Sequence, residues 1–241
     1  MKEFILAFGL LAFLTTNVDG QNFWKRAIKG EGPIVEKQVS LSTFEGIRSG
    51  FSCDIFITQG DRQEVRLEGQ QNILENLTLD VDGGILKIKY DRMVRMAKPV
   101  KIYITMKNLV QASLSGSGSL VTTNHFRNLE NLDVSVSGSG DVRLEVDARD
   151  VGMSVSGSGD ISLSGTARDL DMSISGSGGI DSRDLMAESC EISISGSGDA
   201  TVYVKEVLDA RVSGSGNIRY RGDVAKVHSR VSGSGSVKSL H

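Results

Sequence analysis

The residues best placed to do chemistry stand directly behind a repeated tetrapeptide. Asp141, Asp160 and Asp199 each follow Ser-Gly-Ser-Gly, and Asn217 takes the same place after another copy. If the repeats stack, these residues form a row. A row of carboxylates in a groove could equip a polysaccharide hydrolase or lyase, as acid and base or as calcium ligands. Here Gly179 and Asn217 break the row of aspartates. Short Asp and Asn side chains at such corners also bond nearby backbone N–H groups. The row is therefore read as an exposed polar surface, and no catalytic, cofactor-binding or metal-ligating residue is assigned. A carbohydrate-active, lyase- or hydrolase-like enzyme is the alternative that this row would serve. The calcium-binding nonapeptide repeat wants Gly-Gly-x-Gly-x-Asp, and neither its aspartate offset nor its period fits. His125, His228 and His241 lack a Cys/His spacing suited to zinc and are read as surface residues. Gly-x-Gly recurs without the strand–helix context of a phosphate loop.

The elements that must position this row are set by the repeat itself. Ser-Gly-Ser-Gly begins at Ser115, Ser137, Ser156, Ser175, Ser195, Ser213 and Ser232, at spacings of 22, 19, 19, 20, 18 and 19 residues. The flanks alternate apolar and polar residues, as in Leu132-x-Val134-x-Val136 before a motif and Val142-x-Leu144-x-Val146 after it. Each unit thus reads as strand, glycine-rich corner, strand and loop, with no helical periodicity. One unit cannot bury its apolar face alone, whereas stacked units bury a continuous core. The expectation is an all-β, right-handed parallel β-helix with about 19 residues per turn. A left-handed form is disfavoured because no hexapeptide subperiod is present. Val136, Val155, Ile174, Ile194, Val212 and Val231 should form one inward column. The alternation places the corner glycines inward, Gly138, Gly140, Gly157, Gly159, Gly176, Gly178, Gly196 and Gly198 among them, where a side chain would collide with the core or need a positive φ. The serines should form exposed rows.

Residues 35–110 lack the motif but still alternate, with strands expected at Phe51–Thr58, Glu64–Leu67, Leu77–Val81, Ile85–Tyr90 and Val100–Met106 and a hairpin turn at Asp82-Gly83-Gly84. They read as a more irregular β region that caps the solenoid of residues 111–241. Residues 1–20 read as a signal peptide, with Lys2 ahead of the apolar run Phe4–Leu14 and cleavage after Gly20, and residues 21–34 as a linker. No second long apolar run exists, so no transmembrane span is expected in the mature chain. Export permits a disulfide, but Cys53 and Cys190 fall at inward positions and read as buried free thiols. The net charge of −3 excludes a strongly basic nucleic-acid binder, and an aromatic content of 5% argues against a strong sugar-binding platform. The expected location is the periplasm, the outer-membrane surface or the medium. The expected partner is a surface glycan or an envelope protein. End-to-end self-association is expected at the C-terminal edge, where little chain follows Val231 to close the core.

The sequence resembles the auto-transporter adhesin, head GIN domain family of exported bacterial proteins. The resemblance rests on Phe44-Glu45-Gly46-Ile47, Asp54-Ile55-Phe56-Ile57-Thr58-Gln59-Gly60, Gly84-Ile85-Leu86-Lys87-Ile88 and the repeated Ser-Gly-Ser-Gly-Asp/Asn. It extends over roughly residues 35–240 and implies a β-helical fold and an adhesin-like role at the cell envelope, with no catalytic residues to carry over. The repeats run to His241, so export by signal peptide is expected rather than passage through a membrane barrel of the chain's own.

Overall fold

In a computed structural model, which describes residues 27–240, the chain is almost entirely β. The expected signal peptide, its cleavage point and His241 lie outside the described residues. The first strands are β1 (Ile28–Lys29), β2 (Ile34–Val39), β3 (Gly46–Ser49), β4 (Asp54–Gln59) and β5 (Glu64–Gln70). One helical turn follows, α1 (Gln71–Leu74), and then β6 (Leu77–Asp82), β7 (Ile85–Tyr90), β8 (Val94–Arg95) and β9 (Lys101–Met106). The repeats supply β10 (Gln111–Leu114), β11 (Ser119–Thr122), β12 (Phe126–Val136), β13 (Asp141–Gly157), β14 (Asp160–Gly176), β15 (Gly179–Gly196), β16 (Asp199–Gly214), β17 (Asn217–Arg221), β18 (Lys226–Gly233) and β19 (Ser236–Ser239).

These strands wind into a β-solenoid of about seven turns with about 19 residues per turn. Successive turns pair in parallel, so each inward residue lies over its counterpart one turn away. Val136 pairs with Val155, then Ile174, Ile194, Val212 and Val231, the column expected from the alternation. Leu114 and Ser49 continue it toward the N-terminus. Beyond the corner, Val142, Ile161, Ile180, Ala200 and Ile218 form a second column. Removing these side chains from water is the main favourable term holding the turns together. The 20-residue spacing is absorbed by a bulge at Ser182–Asp184 in β15. The buried Ser182 hydroxyl donates to the Thr201 carbonyl at 3.0 Å, which satisfies it inside the core.

At the N-terminal end the turns are not stacked in chain order. β3 and β4 lie between β7 and β9 on one side and β10 and β11 on the other. Antiparallel strands surround this end, with β2 on β5, β5 on β9 and β6 on β7. The β6–β7 hairpin turns at Gly83 and Gly84, both at positive φ, as Asp82-Gly83-Gly84 led one to expect. The helical turn α1 departs from the reading of no helix. It buries Ile73 and Leu74, two consecutive apolar residues that a flat strand would send to opposite faces. Among the described residues no helix is long and apolar enough to cross a membrane.

Candidate functional site

The Ser-Gly-Ser-Gly corners form a ridge along the solenoid. Within each corner the two glycines have different duties. Gly157 adopts φ +148, and a Cβ there would stand 2.5 Å from the Gly138 carbonyl oxygen of the preceding turn. Gly159 needs no unusual φ, but its Cβ would meet the Gly140 carbonyl at 2.2 Å and the Val136 side chain at 2.7 Å. The close approach has a purpose: the Gly138 carbonyl accepts from the N–H groups of Ser158 and Gly159, both at 3.0 Å. The same pair of bonds recurs where Ser177 and Gly178 meet Gly157 and where Ser197 and Gly198 meet Gly176. Backbone thus pairs with backbone around the bend, and Ser137, Ser139, Ser156 and Ser158 are left exposed.

Asp141, Asp160, Asp199 and Asn217 do stack. They fall in register in the order Asp141, Asp160, Gly179, Asp199, Asn217, Ser236. The column also runs the other way to Ser119, which follows the first motif, and then to Asp54 and Lys101, two members that the changed order of turns hides from the sequence. Most of these groups engage one another. The Ser119 hydroxyl donates to Asp54 at 2.8 Å, and Arg143 pairs with Asp141 at 3.2 Å. Asp199 accepts from the Asn217 amide N–H at 3.0 Å and from its side chain at 2.9 Å, while Arg219 approaches at 3.4 Å. Gly179 leaves room for the Asp160 carboxylate, whose Oδ1 would lie 2.8 Å from a Cβ there.

A second set of acids, which sequence reading passed over as ordinary outward positions, lines a shallow trough of about 820 Å³ on the sheet leading into the corners. Asp171 and Glu191 stack in one column, which Asp209 continues beyond the trough, and Asp150 and Asp169 are paired in the next. Like charges directly opposite repel, and arginines relieve them. Arg168 bridges Asp150 at 3.3 Å and Asp169 at 2.7 Å, and Arg211 lies between Glu191 and Asp209. Among the described residues no group of three or more His, Cys, Asp or Glu side chains could hold a metal ion.

His125, read as a surface residue, is only 23% exposed in its side chain. It sits between Glu145, 3.2 Å from Nδ1, and Asp147, 3.0 Å from Nε2. Burial works against the charge on Asp147, yet the Thr166 hydroxyl at 2.7 Å and the imidazole together hold its carboxyl below the usual aspartate value. His228 lies on the exposed β18. Cys53 and Cys190 are free and buried, and burial pushes both thiols up to about 12. At that value the nucleophilic thiolate is scarce, which suits packing rather than chemistry.

The family model described as putative auto-transporter adhesin, head GIN domain, matches residues 43–224. The chain belongs to this family. Among solved structures it is similar to a putative adhesin from Bacteroides fragilis, at 27% identity and a TM-score of 0.83, covering 89% of this chain and all of that one. A putative lipid binding protein from Parabacteroides distasonis is similar at 25% identity and a TM-score of 0.75, with 90% of this chain and all of that one covered. A putative adhesin from Parabacteroides merdae, at 21% identity and a TM-score of 0.77 over 90% of this chain and all of that one, shares the fold. No curated protein matches the sequence. The family gives an adhesin-like head domain, and the geometry gives stacked polar rows on a solenoid with an apolar core.

Proposed function

We propose that the protein is an exported, non-enzymatic binding module that works at the bacterial cell envelope, where its stacked rows contact a surface glycan or an envelope protein. The observation that carries this reading is the regularity of the exposed face. Seryl, aspartyl and asparaginyl side chains repeat once per turn along a ladder whose interior is filled with apolar side chains, a form that offers many equal contacts rather than one cleft. The row Asp141, Asp160, Asp199, Asn217 and the serine ridge beside it are the surface assigned to contact. The family's adhesin-like character supports the same role, and the expected signal peptide supplies the route of export. Self-association is assigned to the last turn, where Val227 and Val231 are 40% and 42% exposed.

Binding of the mature protein to whole cells and to a glycan array tests the reading. Saturable binding that falls when Asp160→Lys and Asp199→Lys are combined is the expected result. Binding that ignores this double change, or no binding to any cell, glycan or envelope protein, would sink it.

A further inference from the structure

A groove of about 1210 Å³ lies at the N-terminal end of the ridge, bordered by Asp54 and by the first corner, Gly116-Ser117-Gly118. It exists because one turn lacks its corner. The Gly50 N–H bonds the Ile88 carbonyl and the Asp54 N–H bonds the Val100 carbonyl, both at 3.0 Å. Between these two points the neighbouring turn does not follow residues 50–54 around the bend. It detours through residues 91–99 and carries β8, which is held by β1. Phe51 and Cys53 therefore stand where Gly116 and Gly118 stand one turn later. The Phe51 ring packs on Tyr90 with centroids 4.2 Å apart, and Phe51, Tyr90, Val94 and Val100 give the groove an apolar wall.

The detour presents exposed methionines beside basic side chains. Met93 and Met96 are 41% and 68% exposed, and Met96 is held there by a left-handed backbone at φ 50. Lys89, Arg92, Arg95 and Lys98 also line the groove, against the carboxylates of Asp54 and Asp91. None of the four cations has an ion-pair partner among the described residues, whereas nearby Arg66, Lys87 and Lys101 are paired with Glu36, Asp82 and Glu68. In a chain of net charge −3, this is a local positive island around an apolar slot. Flexible methionines adapt to irregular apolar partners. Unpaired arginines and lysines near an acidic membrane surface favour binding to it.

We propose that this groove docks the protein on a bilayer by taking a lipid with an acidic headgroup: Met93 and Met96 enter the acyl region, and Arg92, Arg95 and Lys98 hold the head. The inference rests on the reading of the protein as an envelope module but uses other residues, those of the detour rather than Asp141, Asp160, Asp199 and Asn217, so each can fail alone. A chain that binds cells or glycans and ignores lipid leaves that reading standing and overturns this one.

The experiment is flotation of the mature protein with vesicles of phosphatidylcholine, with and without about 30% phosphatidylglycerol. Binding to the acidic vesicles alone, weakened by salt, is expected. Each basic residue near such a surface is worth about fivefold in partitioning, so Arg92→Gln/Arg95→Gln/Lys98→Gln should lose about a hundredfold. Met93→Ser/Met96→Ser should weaken binding at unchanged charge, and both variants, altered at exposed loop positions, should keep the parent melting temperature. Equal binding to neutral vesicles, no binding, or variants that bind like the parent would overturn the proposal. So would displacement by inorganic phosphate beyond that by chloride at equal ionic strength, which would mean capture of a free anion. Trp24, the sole tryptophan, gives one more readout. Emission that is already blue-shifted and indifferent to vesicles would mean that the chain's own N-terminal segment fills the groove, which also contradicts the proposal.

Discussion

Two corners of the same stack obey opposite rules. At residues 115–118 and every later motif the bend holds Ser-Gly-Ser-Gly, whereas at residues 50–53 the same bend holds Gly-Phe-Ser-Cys. The reason lies in what is underneath. A Cβ on Gly116 would meet the Phe51 backbone at 2.5 Å, and one on Gly138 would meet the Gly116 carbonyl at 2.6 Å. Under Phe51 the chain has detoured, the backbone is missing, and a ring fits against Tyr90. Glycine at these corners is thus a record of a turn lying directly below, and a large side chain records its absence. The stacked corners are suited to a repetitive face, and the unstacked one opens a groove.

The largest effect that would break this comparison is at a stacked corner. Gly157→Val should cost about 3 kcal/mol or more, since it meets both backbone contact and a φ that valine rarely adopts. Denaturant titration checks it, and a loss below about 0.5 kcal/mol would mean that the turns can separate there without penalty. At the unstacked corner the direction reverses. Phe51→Gly, which writes the repeat's own residue into the bend, should destabilise by about 2 kcal/mol because it empties the space over Tyr90. A neutral or stabilising result in the same titration would show that glycine is preferred for the bend itself rather than for the turn beneath it.

How much of this could be read beforehand follows from what alternation encodes. Inward columns such as Val136, Val155 and Ile174 are legible because period two fixes facing, and the repeat fixes which residues share a column. The corner glycines are legible for the same reason. Alternation says nothing about pairing order, so β3 and β7, which alternate equally well, hide that β3 is the inner of the two. The detour of residues 91–99 was illegible too, because Met93 and Val94 resemble a weak strand and the missing corner has no motif of its own. As for the sites, the row Asp141, Asp160, Asp199 and Asn217 was visible through its place behind the motif. Asp171, Glu191 and Asp209 were not, since they differ from any outward residue only in being stacked.

Smaller effects sharpen the account away from the corners. Asp147 has a carboxyl held below its usual value by Thr166 and His125 against the cost of burial. A depressed folded-state value means that the contribution is present above the ordinary aspartate range and is lost as pH falls through the folded value. Asp147→Asn should therefore lower the melting temperature at neutral pH, with the difference from the parent closing in strong acid. A difference that stays constant with pH would show that the site acts through shape alone. The smallest effect is expected on the exposed ridge, where Ser158→Ala should cost under about 0.5 kcal/mol. A loss as large as that of Gly157→Val would invert the assignment of inward and outward residues.

Incubation of the mature protein with a panel of envelope and plant polysaccharides, with and without millimolar calcium, tests the central claim most directly when bound and cleaved material are measured together. Calcium-independent binding with no new reducing ends and no unsaturated products is the predicted result. Release of shortened chains, above all release that requires calcium and stops when Asp160 and Asp199 are replaced, would show that the acidic row belongs to an enzyme and would contradict the account.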